Sequence, residues 1–216
     1  MKYKAVILDL DGTLLDTTSG VIEAVKKTIV QVGLQIPSAN ILKLFVGPPM
    51  QESFSKHFAL NNDIALEYAN IFRKNYGEGY IYIADLYPNV METLQIIKNK
   101  GYRIALATNK SHENAMNILE KFKIDEFCDF AMGSDLKGLL KKKDIIKQCL
   151  QEINVNPSEA VYIGDSFYDL EGAEANGMDF IGVSYGFGFQ KGDSIYNQLI
   201  KRSACVDDFS EVIEFI

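Results

Sequence analysis

Four short runs dominated by apolar residues, Ala5–Leu8, Arg103–Ala107, Ala160–Ile163 and Phe180–Val183, constrain this chain more than any other feature. Each is too short for a core helix and is bounded by turn or polar residues. Strands that read as continuously apolar, without alternation, are covered on both faces, as in a parallel sheet. Between the runs lie helical patterns. Val90, Leu94 and Ile97 repeat at helical spacing, and Gly101 stops that helix. Ile145, Ile146, Leu150 and Ile153 form another stripe. Strands alternating with helices predict an α/β fold built on a doubly wound parallel sheet. The 216 residues leave room for one core plus an insertion.

One segment breaks the alternation. From about Thr17 to Tyr82 the patterns are helical and no strand stands out. Ile22, Val25, Ile29 and Val32 make an amphipathic face that ends at Gly33. Ser38, after Pro37, is placed to cap a second, short helix. Ile64, Tyr68, Ile71 and Phe72 face one way on a third. The aromatics Phe54, Phe58, Tyr68, Phe72 and Tyr76 read mostly as helix-spaced core. Residues 17–82 are therefore expected to form a small all-helical cap. Residues 1–16 and 83–216 are expected to form the α/β core, re-entered at Leu86-Tyr-Pro-Asn89.

Open α/β sheets bind ligands at the carboxyl ends of their strands. The first run leads into Asp9-Leu-Asp11, followed by Gly12-Thr13. Strand positions two apart face the same side. Asp9 and Asp11 should project together, and carboxylates that close repel unless a cation or shared proton neutralises them. Mg²⁺, a hard oxygen-seeking ion, meets that need. The second run ends in Thr108-Asn109-Lys110 and the third in Gly164-Asp-Ser-Phe-Tyr-Asp169. Asp165 falls in the turn and Asp169 one helical turn later, so both are able to face one point. With Asp9 they would supply oxygens to the ion. The strand ends would meet in a crevice of four carboxylates, a hydroxyl, an amide and at least one lysine, a set suited to a metal ion and a phosphoryl group. Each member alone has a plainer reading. Asp169 fits a helix N-terminus, Thr108 an ordinary strand end, and Lys141-Lys142-Lys143 a solvated charge run. The combination is the specific signal.

The net charge of −7 argues against nucleic-acid or anionic-membrane partners. Cys128, Cys149 and Cys205 show no Cys-x-x-Cys spacing and read as reduced residues of a cytoplasmic protein. No signal peptide is expected, and no run approaches the roughly 18 apolar residues of a spanning helix. His57 and His112 are expected to be structural. Gly186-Phe-Gly-Phe189 lacks a dinucleotide fingerprint and is expected to be a flexible loop beside the site.

These motifs carry a resemblance. Asp9-Leu-Asp-Gly-Thr-Leu-Leu-Asp16 resembles the first motif of the haloacid dehalogenase superfamily of phosphohydrolases. Ala107-Thr-Asn-Lys110 resembles the second motif. Gly164-Asp-Ser-Phe-Tyr-Asp169, with Leu-Glu-Gly-Ala-Glu-Ala-Asn-Gly177 behind it, resembles the fourth. The helical insertion resembles the family's first cap type, and Phe45-Val-Gly-Pro-Pro-Met-Gln-Glu-Ser-Phe54 the cap segment of its phosphoglycolate-phosphatase-like branch. The third motif is a lysine leading into a helix. Leu140-Lys-Lys-Lys-Asp-Ile-Ile146 offers three candidates without the usual proline, and counting back from Asn154-Val155 favours Lys142 over Lys143. The resemblance implies Asp9 as a nucleophile forming an aspartyl phosphate. It implies Asp11 as general acid and base, and Thr108, Asn109 and Lys142 as phosphoryl-binding residues. Asp9, the backbone carbonyl of Asp11, and Asp165 would hold Mg²⁺, supported by Asp169. The cap would exclude water and read the leaving group.

The expected partner is a small phosphorylated metabolite, with no nucleic acid and no membrane, for a monomer or homodimer. Phosphoglycolate, nucleoside monophosphates and sugar phosphates all fit. A phosphomutase of this cap type tends to carry valine where this chain has Thr13. A dehalogenase does not use a second carboxylate at position 11. A phospho-aspartate receiver is about half this length and accepts phosphate on an internal strand. A non-catalytic binding module would not require every motif type together.

Overall fold

A computed structural model of the chain describes residues 2–135, 140–189, 191, 194–200 and 203–216. The chain begins with β1 (Ala5–Leu8) and β2 (Leu15–Asp16), then runs through α1 (Thr18–Gln31), α2 (Ala39–Lys43), α3 (Met50–Phe58) and α4 (Asn62–Gly77). After β3 (Asp85–Leu86) come α5 (Val90–Asn99), β4 (Arg103–Ser111), α6 (His112–Phe122), β5 (Phe130–Ser134) and α7 (Lys142–Glu152). The chain continues with β6 (Ala160–Gly164), α8 (Phe167–Ala175), β7 (Asp179–Val183), α9 (Ser194–Leu199) and β8 (Ala204–Val206). It divides into two compact units, Met1–Asp16 with Leu86–Ile216, and Thr17–Asp85.

The larger unit holds a six-stranded parallel sheet in the order β5-β4-β1-β6-β7-β8, flanked by helices. The chain builds outward from β1 to β5, then returns to the other side of β1. The order therefore reverses between β1 and β6, the switch point at which such sheets open a crevice. Ile7 pairs with Ala105 on one side and Tyr162 on the other. Alternation puts Ala5 and Ile7 on one face, where they pack with Ala105, Ala107, Ala160 and Tyr162 against Ile145, Ile146, Cys149 and Leu150 of α7 and Leu170 and Ala173 of α8. Asp9, two residues beyond Ile7, is thus aimed at the layer holding α7 and α8. All four apolar runs are strands. β4 is longer than its run because pairing with β5 continues to Ser111, through a register shift after Thr108.

The smaller unit is built on α1 to α4. Phe45 meets Phe54 edge-on at 5.3 Å between ring centroids, Phe54 stacks on Phe58 at 6.1 Å, and Tyr68 meets Phe54 edge-on at 5.8 Å. Such geometries favour the ring quadrupoles. Asn75 on α4 donates to Thr28 Oγ1 (3.1 Å) and Gln31 Oε1 (3.0 Å) on α1, satisfying a buried amide. Two details differ from the sequence reading. Ser38 occupies the N-cap position of α2, but its side chain makes no capping bond. On α4 the buried stripe is Ala65, Ala69, Phe72, Asn75 and Tyr76, and Ile64 lies exposed. Small alanines let the helix approach closely, which a count of large apolar residues does not register.

Candidate active site

The strand ends of the sheet place the site. Asp9 continues β1 by one hydrogen bond, its amide donating to Ile163 O at 2.9 Å. The chain then turns tightly, with Leu14 and Leu15 amides donating back to Leu10 O. Gly12 has φ +84°, and a Cβ there would lie 2.2 Å from Asp165 Oδ2. Only glycine permits both the left-handed backbone and that approach.

Lys142 is the first residue of α7, and Asp144 fixes that helix start by accepting from the Lys141 amide at 3.3 Å. Lys142 is buried, whereas Lys141 and Lys143 are exposed. Its ammonium lies 2.7 Å from Asp9 Oδ1, 2.8 Å from Asp169 Oδ1, and 3.2 Å from both Ala107 O and the Tyr162 hydroxyl. A charge this deep persists only when paired and hydrogen-bonded. Asp169 is fully buried, and its other oxygen accepts from the Ser166 amide (3.0 Å) and hydroxyl (2.6 Å). It therefore starts α8 and anchors Lys142 at once.

Asp165 is held from the opposite side. Its Oδ2 accepts from the backbone amides of Phe187 (2.6 Å) and Gly188 (3.2 Å), in the loop after β7. A Cβ on Gly186 would lie 2.3 Å from Gly12 O and 2.4 Å from Asp165 Cβ. The Tyr185 hydroxyl ties the same loop to the Asp9–Leu15 turn by donating to Thr13 O at 2.8 Å.

Asp11 pairs with Lys110, Nζ to Oδ1 at 3.0 Å. Thr108 is buried in β4 where its register with β5 shifts, its hydroxyl accepting from the Lys110 amide at 3.2 Å. Asn109 is exposed, and among the described residues no hydrogen bond draws it into the carboxylate cluster. His112 accepts from the Gly133 amide at 3.3 Å, and His57 packs on Phe45 in the helical unit.

The structure thus brings Asp9, Asp165, Asp169 and Lys142 together, with Asp11, Lys110 and Thr108 at neighbouring strand ends. The sequence reading missed Tyr162 and gave the glycine loop no bonding role. A tyrosine within an otherwise aliphatic buried strand was the available signal for the first. Nothing in the sequence marks a backbone amide as a donor, so the second carried no signal.

The carboxylates outnumber the ammonium groups, and a further cation or bound protons must offset the surplus. Four carboxylates meet two ammonium groups here. Burial, offset in part by Lys142 and reinforced by Asp169, pushes Asp9 up to about 7. Burial and the Asp169 and Asp9 charges hold Asp165 well above the usual carboxylate range. Burial draws the Lys142 ammonium down, but the Asp169 and Asp9 charges outweigh it and hold it above its ordinary value. Asp9, Asp165 and Asp169 each offer an oxygen within 4.8 Å of the others. An all-oxygen, charge-deficient cluster fits a hard divalent cation.

The chain is similar to known hydrolases. A family model described as haloacid dehalogenase-like hydrolase matches residues 6–183. A 5'-nucleotidase of Pseudomonas aeruginosa is 30% identical over 189 residues, covering 87% of this chain and 86% of that protein. A phosphoglycolate phosphatase of Aquifex aeolicus is 27% identical over 175 residues, covering 81% of each chain. The crystal structure of a predicted phosphatase from Clostridium acetobutylicum superposes with a TM-score of 0.89 at 30% identity, covering 100% of this chain and 98% of that one.

Proposed function

The chain belongs to the haloacid dehalogenase-like hydrolase family, and on that premise we propose that it hydrolyses a small phosphomonoester with Mg²⁺, through an aspartyl phosphate on Asp9. It is a phosphoric monoester hydrolase; the metal, the intermediate and the substrate are the proposal. The observation that carries it is the buried Lys142 ammonium bridging Asp9 and Asp169, beside Asp165. Phosphoryl transfer requires positioning and charge neutralisation above all, which Lys142 and the proposed cation would supply together.

In the proposed first step an Asp9 oxygen attacks phosphorus. The bond from phosphorus to the leaving oxygen breaks, and Asp11 gives that oxygen a proton. In the second step Asp11 takes a proton from water. The water oxygen attacks phosphorus, and phosphate leaves with Asp9 restored. Thr108, Asn109 and Lys142 hold phosphoryl oxygens, and Lys110 orients Asp11. Asp9, the Asp11 backbone carbonyl and Asp165 would hold Mg²⁺, with Asp169 behind them. Bound there, the ion would supply positive charge to the phosphoryl oxygens and keep Asp9 ionised.

Phosphoglycolate is the first substrate to test, and nucleoside monophosphates are the second because of the nucleotidase relative. Selection of the leaving group is assigned to the helical unit. A cytoplasmic setting suits the three free cysteines. In a panel of small phosphate esters, the purified enzyme should release phosphate over many turnovers with Mg²⁺. Release should stop with a chelator and in Asp9→Asn. Stoichiometric labelling without turnover, or release undiminished in Asp9→Asn, would refute the reading.

A further inference from the structure

Tyr162 stands in the middle of β6, fully buried between Val161 and Ile163, with its ring stacked 6.3 Å from that of Phe180. Packing at this position asks only for an apolar ring, which phenylalanine would supply without a hydroxyl to desolvate. The hydroxyl is nevertheless present and amply partnered. It lies 2.7 Å from Ala107 O on β4, 3.1 Å from Asp169 Oδ1 on α8 and 3.2 Å from Lys142 Nζ on α7.

Counting protons shows what this arrangement does. An ammonium has three protons and accepts nothing, whereas a phenol has one proton and accepts as well. Two Lys142 protons go to Asp9 and Asp169. The third faces two acceptors at 3.2 Å, Ala107 O and the Tyr162 oxygen. The shorter Tyr162 contact, to Ala107 O, directs the phenolic proton onto that carbonyl. The phenol takes one of the carbonyl's two lone pairs and keeps its own oxygen free to accept, so the third lysine proton is shared between that oxygen and the carbonyl's remaining lone pair. Ala107 precedes Thr108, so this carbonyl lies beside the threonine.

We propose that the Tyr162 hydroxyl is a positioning group for phosphoryl transfer: by donating to Ala107 O and accepting from Lys142, it keeps the Lys142 ammonium on Asp9. The inference rests on the reading of Lys142 as a phosphoryl-binding residue. Without the hydroxyl, the third lysine proton turns wholly to Ala107 O, and the ammonium shifts toward β4. A donor displaced in this way costs rate more than substrate binding.

Tyr162→Phe keeps the ring and removes only the oxygen. It should lower kcat by about tenfold while KM stays within about twofold, the scale expected for losing one bond to a charged group. In a Lys142→Met background the same change should cost nothing further, because its effect runs through the lysine. A crystal structure of Tyr162→Phe should show Nζ closer than 3.2 Å to Ala107 O and farther than 2.7 Å from Asp9 Oδ1. If the Phe variant does not fold, Tyr162→Met serves in the same three measurements. A normal kcat in Tyr162→Phe with an impaired Lys142→Met, an equal loss in both backgrounds, or an unmoved Nζ overturns the inference and leaves the phosphatase reading standing. A fully active Lys142→Met overturns the inference together with the reading of Lys142 as a phosphoryl-binding residue.

Discussion

Asp9, the proposed nucleophile, shows what a buried carboxylate demands of its neighbours. Burial raises it to about 7 in the metal-free protein, against roughly 4 for an unfolded aspartate. Between those values the folded state holds a proton that the unfolded state has released. This group's contribution to stability is therefore complete at low pH and is lost as pH rises through 7. With chelator present, Asp9→Asn should melt above the wild type, with the gap widening from pH 5 to pH 8 by roughly 3 °C or more. Melting curves at the two pH values check this, and a constant gap would mean that the buried charge is not the cause. Asp9 and Asp165 were legible in the sequence because Asp9 directly follows a short apolar run and Asp165 follows another after one glycine. Lys142 was harder. Three adjacent lysines are equivalent on paper, and only burial of one beneath the sheet separates them. Tyr162 was missed because its neighbours in β6 made it read as core, which its ring is.

Among elements, the loop after β7 carries more than its sequence shows. It meets Asp165 through backbone amides, so its side chains announce nothing. What is visible is the glycines, and the close approach at Gly186 explains one of them. Gly186→Ala should push the amides off Asp165 and weaken Mg²⁺ binding by about tenfold or more, as loss of outer-shell support to a metal site does. Titration calorimetry on the substrate-free enzyme measures this, with Asp165→Asn as the reference for a lost ligand. Unchanged affinity would mean that the loop is not what orients Asp165. Strand recognition followed the same physics. β1, β6 and β7 are buried along nearly their whole length and stood out as apolar runs. β5 (Phe-Ala-Met-Gly-Ser) is only partly buried, and β8 has three residues at the sheet edge. Neither builds a pattern long enough to notice.

Across the whole molecule, two units with separate cores should respond separately to damage. Phe54 is fully buried in the helical unit and touches Phe45, Phe58 and Tyr68. Phe54→Ala should destabilise that unit by roughly 3–5 kcal/mol. Hydrogen exchange should then speed up across Thr17–Asp85 while β1, β4 and β6 keep their protection. Equal acceleration in both units would mean that they open as one. The helical insertion was legible because it interrupts a strand–helix rhythm, whereas its inner face was not, since alanines set the approach on α4.

The strand order also governs how the molecule comes into being. β1 lies inside the sheet, yet its neighbours come far later in the chain, since Ala5 pairs with Arg103 on one side and Ala160 on the other. Asp165 is clamped only once Phe187 and Gly188 exist. At about 5–20 residues per second, a ribosome needs on the order of ten to forty seconds to travel from Asp9 to Gly188. Within that interval both edges of β1 stay bare until β4 is made, and one stays bare until β6 is made. On the proposed roles, the growing polypeptide would stay chemically silent until the loop after β7 has been made.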